Sequence, residues 1–219
     1  MEQNFSGYLV VLVYMLAVGY VTCDELHHLE SAKRFILSLK EYNDDFRSHF
    51  IQHRFNNEDR TSPNITIEGM EMLSTNLSRL DWYNDNSADL HNHLTSLYFL
   101  HSDILTTFLH AYLEIGAILL DEADAEGFGL YHNATTIDFE IREILDRFEL
   151  LILQKGYPAG NSPGNSVRIA RSVNNQICAG ECLYMQCLYI IEEFEYYLER
   201  AKVNLLELIG RLIDTKTGR

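Results

Sequence analysis

Four long stretches of this chain repeat apolar residues in steps of three and four, and the links between them run long, short, long. That combination narrows the fold more than any other feature. The first stretch covers about Asp24 to Arg54, with Leu29, Ala32, Ile36, Leu39, Asn43, Phe46 and Phe50 on one face. The second covers about Ala88 to Leu120, on Leu94, Leu97, His101, Ile104, Phe108, Ala111, Ile115 and Ile118. A third, from about Thr136 to Lys155, turns Ile137, Ile141, Ile144, Phe148 and Leu151 inward, with Thr135 and Asp138 as its cap and Gly156-Tyr157-Pro158 as its stop. The fourth, from about Gly180 to Ile213, carries Leu183, Cys187, Ile190, Phe194, Tyr197, Ala201, Leu205, Leu208 and Leu212. Almost nothing reads as strand.

Link length then selects the topology. Antiparallel neighbours need only about two to eight connecting residues, whereas parallel neighbours need a link as long as the helix. A helix of about thirty residues is about 45 Å long. The links from Phe55 to Ser87 and from Tyr157 to Asn175 can span that distance, at about 3.3 Å per extended residue. The expectation is an all-α, up-up-down-down four-helix bundle with two long crossover loops.

The run Leu9-Val-Val-Leu-Val-Tyr-Met-Leu-Ala-Val18 is too short to span a membrane, which takes about twenty apolar residues, and fits a secretory leader. Cleavage after Gly19 or Cys23 leaves a single domain from residue 24 to 219, with no membrane insertion. Thr22-Cys-Asp-Glu25 would then cap the first helix if Thr22 survives. Secretion gives meaning to three N-glycosylation sequons, at Asn64, Asn76 and Asn133, all placed in loops or at loop edges. The formal charge of −15 and pI near 4.9 exclude a nucleic-acid partner, which requires a basic face.

No enzyme signature is present: no nucleophile elbow, no phosphate-cradling glycine loop, no His-Glu-x-x-His helix. His49 with His53, or Asp89 with His91 and His93, fall short of a metal ligand set, so neither a metal nor any other cofactor is expected. His101, Asn43 and Lys155 interrupt inward stripes and are read as hydrogen-bonded core groups. The cysteines divide by position. Cys23 lies at the far end of the first helix from the other three, by about 40 Å, beyond the 7 Å or so that a disulfide allows between Cα atoms. Cys178 and Cys182 are the candidate pair, and Cys187 sits on the core stripe.

Local phrasing resembles the long-chain helical cytokines of the interleukin-6 class, in particular the cardiotrophin and ciliary neurotrophic factor subgroup. Phe35-Ile-Leu-Ser-Leu-Lys-Glu-Tyr42 leads to Phe55-Asn-Asn-Glu-Asp59, similar to that subgroup's exit from its first helix through Phe-Asn-x-x-Asp. Gly156-Tyr157-Pro158 is similar to its third-helix exit, and Tyr197-Leu-Glu-Arg200-Ala-Lys202 to the aromatic-Leu-x-Arg stretch of its fourth. The Phe-x-x-Lys signature for the leukaemia inhibitory factor receptor is missing. Its place reads Asn175-Gln-Ile-Cys-Ala-Gly-Glu-Cys-Leu-Tyr184.

The resemblance implies a secreted ligand that assembles cell-surface receptor chains and triggers Janus kinase/STAT signalling. It also implies receptor contacts on the exposed sides of the first and third helices, where Arg34, Glu41, Asp45, Arg142, Asp146 and Glu149 lie off the stripes. Arg200, on the fourth helix, falls where the subgroup carries an arginine for its alpha receptor. The alternatives are a growth hormone/prolactin-like hormone or a secreted carrier of an apolar ligand. Against the carrier stand 11 Phe and 13 Tyr, since bundles that open around lipid tend to be poor in aromatics.

Overall fold

The computed structural model describes residues 3–56, 67–70, 73, 76–77, 80, 90–121, 125–157, 167–169, 172–173, 176–177 and 179–217, with side chains from Glu25 in the first helix and Leu94 in the second. Among the described residues four long helices form a bundle: α1 (Gln3–Arg54), α2 (Leu90–Asp121), α3 (Ala125–Gln154) and α4 (Glu181–Thr217). The stripes read from the sequence are its core. Leu29, Ile36, Phe46 and Phe50 of α1 meet Ile104, Phe108 and Ile115 of α2, Ile141, Ile144 and Phe148 of α3, and Phe194, Tyr197 and Leu205 of α4 in one buried cluster. Its centre is aromatic, with Phe108 4.6 Å and Tyr112 5.2 Å from Phe194, ring centre to ring centre. Such pairs add about 0.5–1.5 kcal/mol each beyond the area that they bury.

α1 packs against α3 and α4, and α2 packs against α3 and, more thinly, α4. Along every such pair the contacts run in opposite order. Lys40 meets Glu199 while Arg47 meets Glu192. Glu25 meets Lys155 while His53 faces Glu126. Tyr98 lies against Phe148 while Gly116 lies against Tyr131, and His101 bonds Asn204 while Tyr112 touches Phe194.

The helix ends follow from local chemistry. Asn56, at φ 52°, closes α1 in the left-handed region, where asparagine is among the few tolerated side chains. Gly156, at φ 81°, closes α3, and the Tyr157 amide reaches back to the Ile152 carbonyl at 3.4 Å. Gly180, at φ 55°, precedes α4 and offers its carbonyl to the Tyr184 amide at 3.0 Å.

Several expectations are corrected. α3 begins at Ala125, not Thr136, so the link after α2 shrinks to residues 122–124. Thr135 and Asp138 do not cap it, since both lie inside the helix. The Thr135 and Thr136 hydroxyls donate back to the His132 carbonyl, at 2.7 and 3.0 Å, and the Asp138 carboxylate accepts from Arg142. In the uncleaved chain Thr22 lies inside a continuous α1, which leaves its capping role after cleavage untouched. A two-residue hairpin also exists, β1 (Ser172–Val173) paired antiparallel with β2 (Gln176–Ile177). The two long links touch, because the Arg168 amide donates to the Glu68 carbonyl at 3.0 Å. Ile67, Met70, Leu73, Leu77 and Leu80 of the first link and Val167 and Ile169 of the second are buried, so these described parts of the two links pack on the bundle.

Candidate functional site

Among the described residues no group of three or more His, Cys, Asp and Glu is placed to hold a metal ion. His49 and His53 open instead onto a surface cleft, where His49 lies 3.5 Å from the Asn133 amide and His53 lies 3.8 Å from Glu126. The side chains of Asp89, His91 and His93 lie outside the described residues. α2 is long and apolar enough to cross a membrane by composition, but most of that stretch is buried inside the bundle.

The polar groups on the inward stripes are all satisfied. The Asn43 amide donates to the Ile191 carbonyl at 3.2 Å and accepts from the Tyr112 hydroxyl. His101 is held between Tyr197 and Asn204 and stacks on Phe148 at 5.0 Å. Lys155 pairs with Glu25 at 2.8 Å, and the Tyr98 hydroxyl donates to the same carboxylate at 2.7 Å. These groups are bonded within the core of the bundle.

On the surface the two seams of α1 differ. The seam with α4 is laced by Lys40–Glu199 at 3.2 Å and by Arg47 to Glu192 and Glu195 at 3.1 and 3.9 Å. The bond that Lys40 also makes to Asp44 raises its pKa, and Glu199 adds to the effect. The seam with α3 holds Glu25–Lys155 at 2.8 Å and His53 near Glu126 at 3.8 Å. Arg34, Glu41 and Asp45, on the side of α1 turned away from its buried stripe, are exposed and hold no ion pair among the described residues. Arg142 and Asp146 on α3 are exposed too, with Arg142 making a two-pronged pair to Asp138 at 3.2 Å, while Glu149 is half-buried. Burial, then Glu143, raises the pKa of Glu140 on the same helix.

Two exposed aromatic residues lie on the same two helices, Tyr42 at 42 % and Phe139 at 59 %. The contacts Phe35–Arg147 and His49–Asn133 bracket them, which puts both at one level along α1 and α3. Leu150, farther down α3, is exposed as well. Tyr42 and Phe139 are aromatic residues outside the inward stripes, and their common level follows only from the antiparallel packing of α1 on α3.

Arg200 sits apart, on the outer face of α4. Its guanidinium lies over the Tyr196 ring, 4.5 Å from the centroid, and bonds the Tyr196 hydroxyl. The helix therefore offers it an aromatic partner one turn away. Val203 and Leu206 continue an exposed apolar strip along the same helix.

Of the sequons, Asn64 lies outside the described residues. Asn76 is half-buried and donates to Asp103 at 3.0 Å. Asn133, expected in a loop, is inside α3. Cys182 is disulfide-bonded, Cys187 is free and fully buried, and Cys178 lies outside the described residues. Tyr184 of α4 packs on Phe50 and Phe55 at the C-terminal end of α1, about 40 Å along that helix from Cys23. Non-reducing peptide mapping of the purified chain should return a Cys178–Cys182 link. A Cys23–Cys182 peptide would require a different chain path or exchange between copies.

No protein-family model, curated protein or solved structure matches this chain.

Proposed function

We propose that this chain is a secreted helical cytokine of the interleukin-6 class that brings cell-surface receptor chains together and thereby triggers Janus kinase/STAT signalling. One observation carries the reading. Each of α1 and α2 packs against each of α3 and α4 with contacts in opposite order. That arrangement supports an up-up-down-down topology in which the two long links are crossovers. A ligand of this kind needs two separate receptor surfaces. The exposed outer faces of α1 and α3 supply one, with Arg34, Glu41, Asp45, Arg142, Asp146 and Glu149 as its charged rim and Tyr42 and Phe139 among its apolar residues, and the Tyr196–Arg200 strip of α4 supplies the other. The densely aromatic core favours this reading over a carrier that opens around lipid.

The test is binding of the purified chain to a displayed library of cytokine-receptor ectodomains, with bound lipid assayed in parallel. The lipid-free protein should bind a receptor. Reversing charge at any two of the six rim residues should leave the helical circular dichroism unchanged and weaken binding at least tenfold. Arg200→Ala should weaken a second, separable contact, by about 2 kcal/mol if it is an anchor. Unchanged affinity across all seven substitutions would overturn the placement of both surfaces, and lipid without receptor binding would overturn the function.

A further inference from the structure

The surface cleft beside Asn133 and the bonded state of Asn76 separate two sequons that look equivalent in sequence. We propose that Asn133 carries an N-linked glycan that rises from the α1–α3 cleft, and that Asn76 stays unmodified in the folded protein. The inference rests on the secreted reading above and deepens it.

The reaction needs a nucleophilic amide and room for its product. The Asn133 Nδ2 displaces the diphosphate from the anomeric carbon of a lipid-linked oligosaccharide. A C–N bond forms, the C–O bond breaks, the lipid diphosphate leaves with the electron pair, and one amide proton is lost to the transferase. Transfer precedes folding, so helical structure at Asn133 is no obstacle. What the fold must provide is space for the sugar afterwards. Asn133 lines an open cleft of about 620 Å³, which also exposes Phe128, 66 % accessible, and Gly129. Outside its own stretch of helix, no atom lies within 4 Å of the position that a Cβ on Gly129 would take. The one remaining Nδ2 proton can keep its contact with His49, now at 3.5 Å. The cleft offers the sugar open volume, ring nitrogens on His49 and His132, and the apolar ring of Phe128, which a bulky solubilising group would shield from water.

Asn76 presents the opposite case. Its Nδ2 points at the Asp103 carboxylate of α2 at 3.0 Å, on a segment whose Leu73, Leu77 and Leu80 are buried. Asn133 is half-buried as well, so the two differ in what surrounds the amide: a charged acceptor on a packed segment at Asn76, an open cleft at Asn133. A glycan on Asn133 leaves Arg34 free, because Arg34 is several turns down α1 from His49.

The experiment expresses the full chain in eukaryotic cells, once with its own first 23 residues and once behind an unrelated secretion leader. Secreted, monomeric protein is deglycosylated enzymatically in ¹⁸O water and mapped by mass spectrometry. Asn133 should be converted to labelled Asp in most copies, and Asn76 should remain unlabelled. Thr135→Ala, which keeps Asn133 itself, should lose that label and one glycan's mass while remaining folded and secreted. Folded secreted protein with Asn133 unlabelled, or with Asn76 labelled, overturns the inference. Retention inside the cell with the native N-terminus, alongside labelled Asn133 behind the unrelated leader, overturns the secreted reading and supports this one.

Discussion

Lys155→Met should destabilise the bundle by about 3–5 kcal/mol, the cost of leaving a buried charge without its partner. Glu25 is 4 % exposed, and Lys155 reaches its two carboxylate oxygens at 2.8 and 2.9 Å. The Tyr98 hydroxyl donates to the same group, so one carboxylate joins α1, α2 and α3 at one end of the bundle. Methionine fills the space left by the lysine stem but cannot neutralise the carboxylate. Glu25→Gln should cost less, because the Lys155 ammonium has some exposure through which it can stay hydrated. The double variant Glu25→Gln with Lys155→Met should be more stable than Lys155→Met alone. Urea unfolding of the four proteins, taken as a double-mutant cycle, measures the coupling. A Lys155→Met variant within 1 kcal/mol of the parent, as an order-of-magnitude bound, would show that water reaches Glu25 and that the pair is not a structural clasp.

That clasp also marks where sequence reading stops. The inward stripes were legible because each helix buries one face, and 3.6-residue periodicity reports a buried face directly. Glu25 was legible only as a capping residue, since its partner lies 130 positions away and no local pattern couples them. Lys155 stood out as a polar break in a stripe, and the break proved to be half of an ion pair. The start of α3 was missed because Gly127, Gly129 and the Thr135–Thr136 pair carry the signals of a loop. Tertiary packing of Leu130 and Ala134 into the core overrides that weak propensity. The charged residues of the candidate surface are legible as residues off the stripes. The common level of Tyr42 and Phe139 is not, because it follows only once α1 is known to lie antiparallel beside α3.

Acidification from pH 7 to 4 should remove about 3 kcal/mol of stability through His101 alone. His101 is fully buried, and desolvation lowers its pKa from 6.5 to about 4, against a smaller opposing effect of its bond to Asn204. The bonding fixes the neutral form. The Asn204 carbonyl oxygen, 2.8 Å from Nε2, can only accept, so Nε2 carries the proton and Nδ1 accepts from the Tyr197 hydroxyl at 3.1 Å. A second proton on Nδ1 would face that hydroxyl and the stacked Phe148 ring in a dry core. Because the folded pKa lies below the unfolded one, the unfolded chain binds the extra proton between about pH 6.5 and 4, and stability falls as pH falls through that window. Above it the contribution is complete. The loss should be felt first where the network ends, since the Asn204 amide also donates to the Leu80 carbonyl at 3.2 Å and thereby ties the first long link to α4. His101→Gln keeps a polar group for Asn204 but does not titrate. Its unfolding free energy should be lower than that of the parent at pH 7 and should converge with it toward pH 4. Parallel pH profiles for the two proteins would mean that His101 does not remain neutral and buried through the window.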